Sequence, residues 1–141
     1  QETVTTFLEM ASGRARETVE VEGKRLEAGG SAHVVAFVGH NGLMDFTAPP
    51  RAPGSEQPSR AAVVLACASK PYFESLLEGS GAYPLLLTTG LMAPEAYSLE
   101  AAVRTWFTTT DAAATRRAAA DAYQAYQHCG LRAARRLFSA E

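Results

Sequence analysis

The chain has 141 residues, 47% of them hydrophobic and 20% charged, with a formal net charge of −2. That length supports one hydrophobic core and a single domain over residues 1–141, and the near balance of charge excludes the basic surface that nucleic acid or an anionic membrane would require. No apolar run approaches the ~20 residues of a membrane-spanning helix, and two cysteines with three histidines give neither a disulfide framework nor a zinc-ligand spacing, so no cofactor and no metal are expected.

No secretory or basic targeting segment opens the sequence, and the cytoplasm is the compartment favoured. The first residue is Gln1 rather than Met, so the chain is expected to begin inside a longer gene product or after processing. Val4, Phe7, Leu8 and Ala11 recur at helical spacing and predict a helix over 3–12, with Thr3 or Thr5 as its cap. Residues 18–22 alternate apolar and polar before Gly23 and 24–27, which reads as a small exposed hairpin, a helix being the alternative. After Gly29-Gly30, residues 33–38 form a nearly continuous β-branched and aromatic run, as in a strand covered on both faces. His40-Asn41-Gly42 follows, then a loop rich in Pro, Gly and Ser over 47–59.

Residues 61–66 give a second buried strand that ends at Cys67. Residues 71–77 predict a helix begun near Ser69 or Lys70, with Tyr72, Phe73, Leu76 and Leu77 facing inward. A third strand is expected over 83–89. Pro94 then opens a helix whose inner stripe is Leu99, Ala102, Val103, Trp106 and Phe107. Thr109 or Thr110 should cap a last long helix carrying Ala118, Ala119, Ala122, Tyr123 and Tyr126, stopped at Cys129-Gly130. Residues 131–138 make a final basic turn. The alternation of elements predicts an α/β domain, a layered sandwich around a mostly parallel sheet of at least three strands.

In such a sheet the strand carboxyl ends lie along one edge, where ligands bind. His40 and Cys67 each stand just past such an end. Parallel neighbours would bring them within reach of each other, whereas antiparallel ones would separate them by ~16–20 Å. A thiol beside an imidazole is suited to nucleophilic acyl transfer, because the thiolate is the reactive species and the imidazole takes its proton. The tetrahedral intermediate needs backbone N–H donors, for which Gly42 and Cys67 itself are the candidates. Asp45 is the candidate for orienting His40.

Val35-Ala36-Phe37-Val38-Gly39-His40 and Val63-Val64-Leu65-Ala66-Cys67 resemble the histidine and nucleophile blocks of caspase-like (clan CD) cysteine peptidases. The layout of residues 83–107, followed by an alanine-rich helix, is similar to the bacterial CHAT branch. The resemblance covers roughly residues 30–127. It implies a caspase-like three-layer fold, a hydrolase using a His/Cys dyad, and a protein or peptide substrate. The sequence departs from the family pattern at Asn41, which displaces Gly42 by one residue, and in a short His-to-Cys spacing of 27. It also has no strand before the first helix, so a second chain or an N-terminal segment is expected to complete the sheet.

Other readings stand beside this one. Cys67 at a strand end also reads as a small buried hydrophobe, His40 as a loop histidine, and Asn41-Gly42 as a tight-turn pair. His33 reads as the start of a strand, His128 and Cys129 as a helix end, Glu95 as a solvated loop carboxylate, and Arg132, Arg135 and Arg136 as an exposed helix face. The function classes are therefore a cysteine endopeptidase, an inactive caspase-like interaction domain, or another α/β enzyme or small-ligand binder using the same sheet edge.

Overall fold

The computed structural model describes residues 1–54 and 60–138. The predicted loop over 47–59 is therefore followed to Gly54, and its last five residues lie outside the described residues. In chain order the elements are α1 (Glu2–Ala11), β1 (Arg16–Val21), β2 (Lys24–Gly29), β3 (Val34–Val38), β4 (Ala61–Leu65), α2 (Lys70–Gly79), β5 (Tyr83–Leu86), α3 (Ala96–Thr109), α4 (Ala112–Gln127) and α5 (Leu131–Leu137).

The centre is a three-stranded sheet in the order β3-β4-β5, with both neighbouring pairs parallel. Every residue of β4 is buried, which is why its sequence is an unbroken apolar run. Strand alternation divides those residues between two cores. Ala62, Val64 and Ala66 join α1, α2 and the inner side of β3 in one cluster. Ala61, Val63 and Leu65 join β5, α3, α4 and α5 in the other. The sheet thus carries helices on both faces, an α/β arrangement.

β3 departs from the expectation of cover on both faces. Val35 and Phe37 are buried while Ala36 and Val38 are exposed. The helices of the second cluster stand over β4 and β5 and leave most of that side of β3 open. Among the described residues β3 also pairs on one side only. β5 is shorter than the strand expected over 83–89. Its register slips at Ala62/Val63, where Pro84 has no N–H to donate, and beyond Leu86 the chain leaves the ladder to bond the turn after β4.

The predicted hairpin is present as the antiparallel pair β1–β2. Val21 faces Lys24, so Glu22-Gly23 is a two-residue turn, and both residues have positive φ, 51° and 74°, the conformation that matches strand twist in tight hairpins.

Helix termini and three stripe positions differ from expectation. Thr3 and Thr5 lie inside α1, which starts after Gln1 without a side-chain cap. Neither Thr109 nor Thr110 caps α4. Thr110 closes α3 in a left-handed conformation, and the Asp111 carboxylate accepts from Ala113 N and Ala114 N at 2.8 and 3.1 Å. A carboxylate one residue later is the better acceptor for the orphan amides of the new helix. Phe107, placed on the inner stripe of α3, is 64% exposed, and Tyr72 on α2 is 38% exposed. Tyr126 is exposed as well but stacks on Tyr97 at a ring distance of 4.2 Å. No helix among the described residues is long and apolar enough to cross a membrane.

Candidate functional site

β3 and β4 pair at a constant offset, from Val34↔Ala61 to Val38↔Leu65. The Gly39 N–H extends the pairing by donating to Leu65 O at 3.1 Å. The same offset counts His40 opposite Cys67, at the carboxyl ends of adjacent parallel strands. The parallel pairing needed for a shared site is therefore present.

A side chain links the two ends. Asn41, fully buried, donates from Nδ2 to the Cys67 carbonyl at 2.8 Å and accepts from Leu43 N on Oδ1 at 3.1 Å. Its amide is thus used at both ends, which is how a polar side chain is tolerated at zero exposure. Beyond it, a short 3-10 turn over Gly42–Met44 folds the loop back so that Asp45 reaches His40. His40 Nε2 and Asp45 Oδ2 are 2.9 Å apart, both side chains 72% exposed. The Asp45 contact expected from the sequence is present. With Nε2–H donating to the carboxylate, the imidazole lone pair is on Nδ1. The Gly42 N–H, a candidate oxyanion donor, donates to His40 O at 3.0 Å in a tight turn.

Cys67 is half-buried, with Sγ 3.5 Å from the Met92 carbonyl oxygen. No hydrogen bond among the described residues takes up its N–H. The next residue, Ala68, has φ +45°, a left-handed conformation that is costly for a side chain bearing Cβ and persists only where the surroundings enforce it. Ala68 N–H donates to Gly90 O at 2.8 Å, so the loop after β5 lies against the cysteine turn. On that loop Leu91 is 82% exposed. Beside it a cavity of about 380 Å³ is bordered by Thr89, Gly90, Leu91, Cys129 and Arg136. Replacing Ala68 with glycine is expected to leave stability unchanged or raise it by up to about 1 kcal/mol, opposite in sign to an ordinary Ala→Gly change in a regular element. Urea unfolding midpoints check this.

The remaining sequence candidates lie apart from these strand ends or carry structural contacts. His33 precedes β3, and its carbonyl accepts from Ala61 N at 2.9 Å. His128 closes α4 in a left-handed conformation, with Cys129 exposed after it. Glu95 is the exposed residue before α3. Arg132, Arg135 and Arg136 are exposed on α5, with Arg135 3.7 Å from Asp121. Among the described residues no group of three His, Cys, Asp or Glu could hold a metal ion.

Two residues at the site escaped the sequence reading. Ser69 and Thr88 are fully buried, their hydroxyl oxygens 3.1 Å apart beneath the cysteine turn. The sequence marks Ser69 only as a helix start and Thr88 only as part of a strand. A hydroxyl inside a run that is otherwise apolar was the one available signal. Comparisons of the chain with protein-family models, with characterised proteins and with solved structures found no match.

Proposed function

We propose that the chain is a caspase-like cysteine endopeptidase domain in which Cys67 is the nucleophile and His40 the base, acting on a protein or peptide substrate. The observation that carries this reading is the level pairing of the two strand ends, tied by the Asn41 Nδ2 to Cys67 O bond of 2.8 Å. In the proposed reaction the thiol proton passes to His40 and the thiolate attacks the scissile carbonyl carbon. The tetrahedral oxyanion takes a hydrogen bond from the open Cys67 N–H. Collapse breaks the C–N bond, and the leaving amine takes the proton from the imidazolium. Water, deprotonated by His40, then cleaves the thioester to release a carboxylic acid and restore the thiol. Asp45 orients the imidazole through the 2.9 Å contact at Nε2.

Two observations favour a second reading, an inactive caspase-like interaction domain. The Gly42 N–H is engaged by His40 O, and the His40 ring is held on Asp45 at the surface. In either reading the pairing of β3 on one side only among the described residues supports the proposal that an N-terminal segment or a second chain extends the sheet.

Iodoacetamide labelling of the folded protein from pH 5 to 9 separates the two. Cys129 is replaced by serine so that Cys67 alone reports. The peptidase reading expects Cys67 to react well below the ~8.5 pKa of a free thiol, and His40→Ala to lower the rate at pH 6.5 by about ten-fold or more. A Cys67 that is inert, or whose rate His40→Ala leaves unchanged, defeats the peptidase reading.

A further inference from the structure

Thr88 Oγ1 donates to Ala66 O and accepts from Ser69 N at 3.1 Å, while Ser69 Oγ donates to Val64 O at 2.9 Å and accepts from Thr88 N at 2.9 Å. Lys70 N donates to Thr88 O at 2.9 Å. Each hydroxyl has one hydrogen and two lone pairs, so each proton is committed to a main-chain carbonyl and each oxygen receives a main-chain amide. The bonds fall on both sides of the cysteine, on Ala66 before it and Ser69 after it. With Ala68 N held by Gly90 O, the N–H groups of residues 68 to 70 are all taken, and among the described residues that of Cys67 has no partner. The pair also explains why β5 ends at Leu86, since Thr88 bonds the turn in place of continuing the ladder.

We infer that Ser69 and Thr88 are positioning residues for Cys67, a buried hydroxyl brace that holds the left-handed Ala68 turn, sets where the thiol stands and keeps the Cys67 N–H free for a substrate. The inference rests on the reading of Cys67 as a nucleophile. A merely structural pair would change stability and leave the reactivity of the folded fraction alone. A positioning pair sets where the thiol stands relative to His40, so its loss alters the pH dependence of the thiolate.

The test measures iodoacetamide labelling against pH, on the Cys129→Ser background, for Ser69→Ala, Thr88→Val and Thr88→Ser, with circular dichroism to establish the folded fraction. Ser69→Ala and Thr88→Val are expected to lower the rate at pH 6.5 by about ten-fold and move the profile toward that of a free thiol near ~8.5. Thr88→Ser keeps the hydroxyl and is expected to stay within about two-fold of the parent. Should Thr88→Val fail to fold, Ser69→Ala against Thr88→Ser carries the comparison. A folded Ser69→Ala with the parent profile overturns the inference, as does a Thr88→Ser as impaired as Ser69→Ala. The two levels of failure are distinct. If the parent itself loses nothing on His40→Ala, the nucleophile reading falls and this one with it. If the parent shows the His40 dependence and Ser69→Ala retains it, only the brace falls.

Discussion

Replacing Asn41 with alanine is expected to destabilise the fold by about 1–3 kcal/mol, because it leaves the buried acceptor of Cys67 and the amide of Leu43 without their partner. An exposed turn asparagine would cost no more than about 0.5 kcal/mol, so the size of the effect distinguishes a cross-link between strand ends from a residue that only suits a tight turn. Asn41→Asp refines the test. It keeps the shape, but an ionised carboxylate would meet the Cys67 carbonyl oxygen, and only its protonated form can donate there. The folded protein therefore holds that carboxyl above its ordinary pKa of ~3.9. Its contribution is fully present below the unfolded value and lost as pH rises through the folded one. Asn41→Asp should accordingly lie closer to the parent at pH 4 than at pH 7 in urea titrations. A uniform deficit at both values would show that the amide donor is not what holds the loop. If the loop is freed, the His40-dependent labelling of Cys67 should also weaken, since nothing else among the described side chains bonds the Cys67 carbonyl.

The large features of the fold were legible because each left a periodic trace. β4 reads as a strand from its unbroken apolar run, the hairpin from alternation around Gly23, and α2 from Phe73 and Leu77. Parallel pairing of β3 and β4 followed from the alternation of strands and helices along the chain. The site was legible only in part. His40, Asp45 and Cys67 are marked by their chemistry, with Asp45 no more than a candidate for orienting His40. Asn41 looked like an interruption because its role depends on a partner 26 residues away, and no local pattern encodes that. Ser69 and Thr88 show only as hydroxyls beside apolar runs, and because they are 19 residues apart no local pattern pairs them. The misplaced residues Tyr72 and Phe107 have another cause. Helical spacing marks which positions share a stripe, but the width of the covered stripe is set by what packs there, and those two side chains are left 38% and 64% exposed.

That distinction gives the largest expected change in stability. Phe73 is fully buried and meets Phe7 and Phe37, each at a ring distance of 6.2 Å, the first edge-on and the second stacked. It joins α2 to α1 and to β3 at one point. Phe73→Ala should cost about 3–5 kcal/mol, the transfer term plus the cavity left between three elements that cannot all close on it. Against a typical domain stability of about 5–15 kcal/mol that is enough to leave the protein marginal, whereas Phe107→Ala on α3 should fall within about 0.5 kcal/mol. Urea unfolding of the two variants checks the contrast, and comparable costs would mean that the phenylalanine cluster is not the anchor of this core. The position of Phe73 also ties the core to the strand ends. It lies on the first turn of the helix that begins just after Ser69, and its N–H donates to Ser69 O at 2.9 Å. A cavity at Phe73 therefore loosens the start of α2 and, through Ser69, the turn that carries Cys67. In the folded fraction of Phe73→Leu, a milder truncation, Cys67 labelling should fall while the His40–Asp45 pair, set within its own loop, keeps its contact.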